Sequence, residues 1–415
     1  MRLFAPFALA CLAPLTAHAG TFTVGPQAGP GIDFTSIQAA INAAAEGDLI
    51  LVNAGAYTES LVVDGKSLTL LGNGTPTLFV NSQTPGHAPL LAVRNLSASQ
   101  SFDMLGFGFS SFSGVQKDAI ELDSNTGRIW LEELFIDSFD GHGLRAIASS
   151  EVVLSDVFLQ VNAAFTDAQG FAQPAHGMLV ENGSSVRAYG LTATGSHIAP
   201  ILTTPTTPVV GGDAVRVIDS TVLMIDPDLI GGSGGSVFSG GCSSAAAGGS
   251  ALAVFAQGGP APSVQFRGGT LLAGAAGFFD PACAPAPPAV PAINDPAQAV
   301  TTLSGTPRSL DMPSMATLSG AFEFQVRGAA SDIFFVFANA GEQAPLPIAG
   351  VDGDLFLNPA SSFLGSTGTL NASGFGGMAT SFSNPGPTIG FRTQALFFDT
   401  QGAFWLSGPS SIYFL

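Results

Sequence analysis

Five segments of this chain superimpose on one another. They are Asp118-Ala-Ile-Glu-Leu-Asp123, His142-Gly-Leu-Arg-Ala-Ile147, His176-Gly-Met-Leu-Val-Glu181, Asp213-Ala-Val-Arg-Val-Ile218 and Ser250-Ala-Leu-Ala-Val-Phe255. Successive starts differ by 24, 34, 37 and 37 residues. Positions three and five are apolar in all five. With the period of two of a strand they face inward, and positions two and four face outward. A second strand-like run follows in the first four segments, over 129–135, 152–159, 186–191 and 222–225. Each unit is thus a strand pair plus a loop of variable length. Such a unit cannot bury its apolar face alone, whereas stacked units bury it continuously. The repeat predicts an all-β chain wound as a parallel β-solenoid, with a core that is a row rather than a ball.

The open end of a solenoid exposes apolar side chains and needs a cap. Residues 33–47 carry the one convincing helix signal. Thr35-Ser36-Ile37-Gln38 reads as a capping box with Thr35 facing the Gln38 amide. Ile37, Ala40, Ile41 and Ala44 share a face, and Gly47 stops the helix. Strand-like runs over 49–52, 61–63 and 68–71 follow, with turn residues between them.

The run from Asp33 through Asn42, then Glu46-Gly-Asp-Leu-Ile-Leu-Val52, then Gly55-Ala-Tyr-Thr-Glu59, resembles the N-terminal block of right-handed parallel β-helix proteins of the pectin-lyase-like superfamily. The resemblance covers residues 33–74, and the coil pattern extends it to about residue 275. It implies a right-handed parallel β-helix with an N-terminal capping helix. That fold is shared by lyases, hydrolases, esterases, epimerases and non-catalytic surface proteins, so it does not fix a function.

The remaining segments complete a domain plan. Residues 1–19 read as a signal peptide: Arg2 is the charged region, 3–15 the apolar stretch, and Ala17-His18-Ala19 the cleavage site. The expectation is a secreted or cell-surface protein cleaved after Ala19, with the β-helix over 20–283. Residues 284–300 form a Pro-rich linker. Residues 301–415 alternate in a new register and predict a smaller antiparallel β-domain, a sandwich. Cys242 and Cys283 are the two cysteines left after cleavage, and an even pair in an exported chain predicts a disulfide. No segment reaches the roughly 18 apolar residues of a transmembrane helix.

Charge narrows the partners. Twelve Lys and Arg stand against 30 Asp and Glu, a formal net charge of -18. Twelve cations over 415 residues cannot build a phosphate-neutralising stripe, which excludes nucleic acid. The same balance repels a polyuronate unless bound cations intervene. No cofactor is firmly implied. Ca²⁺ is a candidate, with Asp118, Glu121 and Asp123 on one strand, or Asp226 and Asp228, as oxygen ligands.

Stacked coils place equivalent residues about 4.8 Å apart, so columns become neighbours. The column before each strand reads Asp118, His142, His176, Asp213. The outward fourth position reads Glu121, Arg145, Leu179, Arg216. The second position is Ala119, Gly143, Gly177, Ala214. Together these predict a shallow groove with a floor of small residues and acid–base groups on its rim. Carboxylates and imidazoles within reach of one another can share proton-transfer work. The catalytic candidates are Asp118, Glu121, His142, Arg145, His176, Asp213 and Arg216. Against them stands the fact that solenoid turns produce columns of like residues without any function.

Gly141-His142-Gly143 is similar to a segment of polygalacturonases, but the Asn-Thr-Asp, Asp-Asp and Arg-Ile-Lys segments of those enzymes are missing. Two functions follow as expectations. One is a protein that binds or processes an extracellular, neutral glycan along the helix flank, as a polysaccharide hydrolase or lyase if it is an enzyme. The other is a non-catalytic surface or matrix protein, attached to the cell surface through its C-terminal domain.

Overall fold

The computed structural model describes residues 20–80, 89–111, 118–139, 141–162, 165–166, 172–198, 208–239, 242–282, 286–316, 321–339, 345–381 and 389–414. Residues 1–19, read above as a signal peptide, and Cys283 lie outside the described residues, as does the side chain of Cys242. The chain divides into two compact units that meet in sequence at Pro307 and Arg308.

The first unit is a parallel β-solenoid. Three parallel sheets, here A, B and C, run along it, and the chain visits them in the order A, B, C in each coil. One complete coil is Arg128–Glu132 in sheet A, Phe135–Phe139 in sheet B and Leu144–Ile147 in sheet C. The strand pair read from the repeat is the C strand and the A strand after it. The third strand, in sheet B, falls in what sequence reading treated as the rest of the second run or the loop. It is short, with only Thr192–Thr194 and Asp228–Ile230 in two coils, too short to show a period.

Most coils turn two of their corners on left-handed residues, one in most cases and two in succession as at Asn182-Gly183 and Gly268-Gly269. Asn95, Ser124, Ala148, Asn182 and Asp219 turn from sheet C to sheet A, with φ between 48° and 60°. Gly106, Glu133, Asp156, Gly190, Asp226 and Gly268 turn from A to B. The residue after this second corner points inward in most coils, and Phe107, Leu134, Val157 and Leu191 join the core. Asp226-Pro227-Asp228 is therefore a corner. The first corner carries a buried polar ladder. The amide of Ser149 donates to Ser184 Oγ, that of Ser184 to Ser220 Oγ, and Asn125 Nδ2 to Ser149 Oγ, at 3.1–3.2 Å.

The cap is a helix over Ile37–Ala43, shorter than the predicted 33–47. Its N-cap is Ser36 rather than Thr35: Ser36 Oγ accepts from the Ala39 amide at 3.1 Å. Glu59 does the rest. Its two oxygens accept from the Ile37 amide, the Gln38 amide and Ser36 Oγ at 2.7, 3.1 and 2.7 Å. A carboxylate at a helix N-terminus satisfies orphan amides and opposes the helix dipole. Gln38 then pairs its side-chain amide with Val62, accepting from its N–H at 2.7 Å and donating to its C=O at 3.2 Å. Val62 sits on the first strand of sheet C, so Gln38 imitates a neighbouring rung on an otherwise bare sheet edge. Lys66 Nζ closes the far end of the helix on the carbonyls of Ile41 and Ala44.

The solenoid continues past the predicted boundary at 283. Ile293–Asn294 adds a rung to sheet C, and Val300–Thr302 adds one to sheet A. The Pro-rich stretch is thus followed by the solenoid's own last strands. In the second unit, a three-stranded antiparallel sheet and a larger mixed sheet close on one core. Leu310, Phe324 and Val326 from the first meet Phe334, Val336, Phe397 and Ile412 from the second. Ile389–Phe398 is one continuous strand of the larger sheet.

Candidate functional site

The connection from sheet B to sheet C takes the variable insertions. Two carry hairpins of their own, Phe165–Thr166 with Ala172–Gln173 and Ser236–Ser239 with Cys242–Ala245. Their bases are tied by backbone bonds that zigzag between coils. Gly212 N donates to Ser196 O, Gly232 N to Gly212 O, Gly249 N to Gly232 O and Gly274 N to Gly249 O, at 2.8–3.1 Å. Only glycine permits this approach: a Cβ on Gly212 would lie 1.8 Å from the Ala175 carbonyl oxygen.

The predicted acid–base column sits where each connection re-enters sheet C. Strand register places Asp118, His142, His176, Asp213 and Ser250 at equivalent positions, two residues before their strands. They are joined rung to rung by one repeated bond. The amide of His142 donates to Asp118 Oδ1 at 2.8 Å, and that of His176 to His142 Nδ1 at 2.9 Å. The amide of Asp213 donates to His176 Nδ1 at 3.0 Å, and that of Ser250 to Asp213 Oδ1 at 2.8 Å. The two imidazoles stack with centroids 5.2 Å apart and planes 9° from parallel. His142, His176 and Asp213 are all buried.

A backbone amide can only donate, so Nδ1 of each imidazole accepts and neither ring is doubly protonated; His176 Nε2 in turn lies 3.3 Å from Arg216 Nη1. Burial lowers the pKa of His142 to about 4, and the nearby Arg145 charge adds to this. Burial likewise holds His176 well below its ordinary value. The 3.7 Å approach of Asp213 Oδ2 to His176 Nδ1 is therefore not an ion pair. Burial raises Asp118 to about 6, with Glu181 pushing the same way, and burial raises Asp213 too. The Nδ1 lone pairs of His142 and His176 are thus spent on holding the returning chain, and Asp118 and Asp213 each give one oxygen, Oδ1, to the same task. A general base needs a lone pair free for the substrate's proton. In the structure His142 and His176 hold the returning chain through Nδ1.

The predicted floor is also corrected. Ala119 and Ala214 are fully buried members of the solenoid core, not an outward surface. A Cβ on Gly143 would lie 2.6 Å from the Gly177 carbonyl oxygen, so that position has no open side. The reason is local. The strands begin at position three, and the corner before them turns position two inward.

Glu121, Arg145 and Arg216 do point outward. Arg145 is held by a residue the candidate set missed, Glu181, whose Oε1 accepts from Nη2 at 2.6 Å and Nε at 2.9 Å. Glu121 Oε2 lies 3.9 Å away on the other side. Burial, with the neighbouring Asp118 charge, raises the Glu121 pKa. Arg216 reaches Asp213 Oδ2 at 3.6 Å and lies over the Phe255 ring at 4.7 Å. Continuing the period of two from position four to position six would have found Glu181 and Phe255. Leu179, between the two arginines in the column, is buried.

Other candidates are placed as follows. Trp130 is buried and donates to Glu132 Oε2, and Trp405 carries the Arg308 guanidinium on its ring. Among the described residues, no three His, Cys, Asp or Glu side chains are grouped to hold a metal ion. Asp118 is engaged by the His142 amide and Asp123 by Ser124 Oγ, so the strand that offered Ca²⁺ ligands does not converge them. No described helix is long and apolar enough to cross a membrane.

No family model matches the chain, and no curated protein matches it. Similar solved structures include the enzymatically active domain of tailspike protein 4 of bacteriophage CBA120, at 12% identity and a TM-score of 0.24. That match covers 88% of this chain and 64% of the tailspike domain, so the chain spans under two thirds of it. The catalytic domain of a GH87 α-1,3-glucanase is similar at 11% identity and TM-score 0.25, over 71% of this chain and 70% of that one. The tailspike gp49 of Acinetobacter baumannii bacteriophage Fri1, a capsular polysaccharide depolymerase, is similar at 8% identity and TM-score 0.22, over 96% and 88%. The fold assignment rests on strand register, independently of these likenesses.

Proposed function

We propose that this is an exported protein that binds a neutral extracellular glycan along the outer face of sheet C, without cleaving it. The observation that carries this is the paired-charge row Glu121–Arg145–Glu181, with Arg216 held by the buried Asp213, set on rungs about 4.8 Å apart. Each guanidinium has five donors and each carboxylate about four acceptor sites, and the pairing uses only some of them. The remainder face outward from a rigid frame. Mutual neutralisation suits hydroxyl groups better than a polyanion, which the net charge of -18 also repels. The Asp/His column serves as a clasp, with both imidazole Nδ1 atoms engaged by backbone amides.

Membership in the pectin-lyase-like superfamily belongs to the same proposal. It is supported by the Glu59-capped helix at the solenoid's end. So do export through residues 1–19, the Cys242–Cys283 disulfide and cell-surface attachment by the C-terminal unit. A second reading, a rigid non-binding spacer, is favoured by the polar ladders that lock each coil to the next. A glycan array of the mature chain with an Arg145→Met control, followed by a reducing-sugar assay, separates them. Binding to neutral glycans that weakens in the variant, with no new reducing ends, supports the proposal. No binding to any neutral glycan removes it and leaves the spacer.

A further inference from the structure

The first strand of sheet A begins beside an unmet charge. Thr21–Val24 pairs in parallel with the segment 49–52, and the Leu49 amide donates to the Gly20 carbonyl at 3.0 Å. This register sets Gly20 next to Asp48, which is only 4% exposed. Asp48 Oδ2 accepts from the Ala45 amide at 2.7 Å. Its Oδ1 is buried and has no hydrogen-bond partner among the described residues. A buried carboxylate oxygen without a partner is costly, and most buried polar atoms in folded proteins have one.

Gly20 lies directly against that oxygen. A Cβ built on Gly20 would stand 3.2 Å from Oδ1, 3.4 Å from Cγ and 3.5 Å from Oδ2. For a carbon that approach is crowded. For an ammonium nitrogen the same distance is within hydrogen-bond reach. Gly20 is also the residue after the predicted cleavage site, Ala17-His18-Ala19. Hydrolysis of the Ala19–Gly20 peptide bond consumes a water and leaves a carboxylate on Ala19 and an ammonium on Gly20. The freed nitrogen is no longer tied to the preceding residue. Rotation by about 120° around the Gly20 Cα–C bond, one staggered step, carries it to the place of the missing Cβ. There it meets Oδ1, while the Gly20 carbonyl keeps its bond to Leu49. A side chain at position 20 would compete for that place, and glycine leaves it clear.

We propose that the cut after Ala19, made by an export-linked peptidase, completes the fold: the new α-ammonium of Gly20 pairs with Asp48 Oδ1 and fastens the first strand to sheet A. This role rests on the reading of residues 1–19 as an export signal. Both partners of the bond are charged, and Ala45 already holds the carboxylate in place, so the arriving ammonium completes a site that is largely formed.

The test is amide hydrogen exchange on the mature chain with a free Gly20 amine, the same chain Nα-acetylated, and a chain that retains Ala19, each beside its Asp48→Asn counterpart. Asparagine keeps an oxygen for the Ala45 amide but carries no charge. The expected result is exchange at the Leu49 amide and in Thr21–Val24 slower by about tenfold or more in the free-amine chain, the size of one charged hydrogen bond. That difference disappears in Asp48→Asn. Equal rates in the free-amine and acetylated chains overturn the pair, and so does a difference that persists in Asp48→Asn. The acetylated chain carries no substitution, so the comparison holds even where Asp48→Asn does not fold. N-terminal sequencing of the exported protein tests the underlying reading separately. Gly20 as first residue supports the maturation step, and any other first residue overturns it whatever the exchange rates show.

Discussion

The backbone amide of His176 donates to Nδ1 of His142 across 2.9 Å, from one coil of the solenoid to the next. The same bond recurs with Asp118, His176 and Asp213 as acceptors, always where an insertion re-enters sheet C. What the position requires is a side-chain acceptor at one fixed place, which an imidazole or a carboxylate supplies equally well. That explains why the column accepts either His or Asp.

His142→Ala leaves the buried His176 amide without a partner, and such a loss costs about 1–3 kcal/mol. His142→Asn places an amide oxygen near the same point and should retain most of the stability. Urea midpoints of the two variants check this. Equal midpoints would remove the acceptor from the account.

The column also sets opposed pH slopes. His142 has a folded pKa of about 4 against an ordinary 6.5. Its stabilisation is full above pH 6.5 and is lost as the pH falls toward 4, on the order of 3 kcal/mol in all. Asp118 has a folded pKa of about 6 against an ordinary 3.8, so its contribution is full below pH 3.8 and is lost as the pH rises through 6. Relative to wild type, His142→Asn should therefore gain stability on going from pH 7.5 to pH 5. Asp118→Asn should gain on going from pH 5 to pH 8. Thermal melts across that range read both slopes, and a gain of the opposite sign in either variant contradicts the assignment.

Ala148 occupies a left-handed corner, φ 48°, that other coils fill with Asn95, Ser124, Asn182 and Asp219. A Cβ in that conformation costs roughly 1–2 kcal/mol. Glycine removes the clash but loses more freedom on folding, which offsets part of the gain. Ala148→Gly and Ala148→Asn should each raise stability by up to about 1 kcal/mol, measured by calorimetry. Destabilisation by both would show that the corner is not strained.

Glu59 ties the capping helix to the solenoid through three hydrogen bonds. Glu59→Ala should cost about 1–3 kcal/mol through the unsatisfied amides and the lost helix-dipole contact. The loss should be local. Hydrogen exchange should accelerate in residues 37–43 and in the Leu61–Asp64 strand, which Gln38 covers. Unchanged protection there would mean the cap holds by apolar packing alone.

The solenoid was legible because its inward positions repeat at a spacing that only stacking explains, and Ile120, Leu144, Met178 and Val215 do align in register. Sheet B was not legible, because strands as short as Thr192–Thr194 show no period. The candidate column was found correctly as a column, but its residues were misread as a rim. Sequence shows that Asp118 and His142 are neighbours. It does not show that the intervening bond is to the backbone, and that bond decides whether a histidine is a base or a clasp.

The central claim is that the flank binds glycan while the Asp/His column only holds the coils together. The most direct test is to measure neutral-polysaccharide retardation and reducing-end release on the same samples of wild type and the folded double variant His142→Asn, His176→Asn. The prediction is equal retardation of both and no release by either. Release of reducing ends by the wild type that disappears in the double variant would contradict it, and would return the column to catalysis.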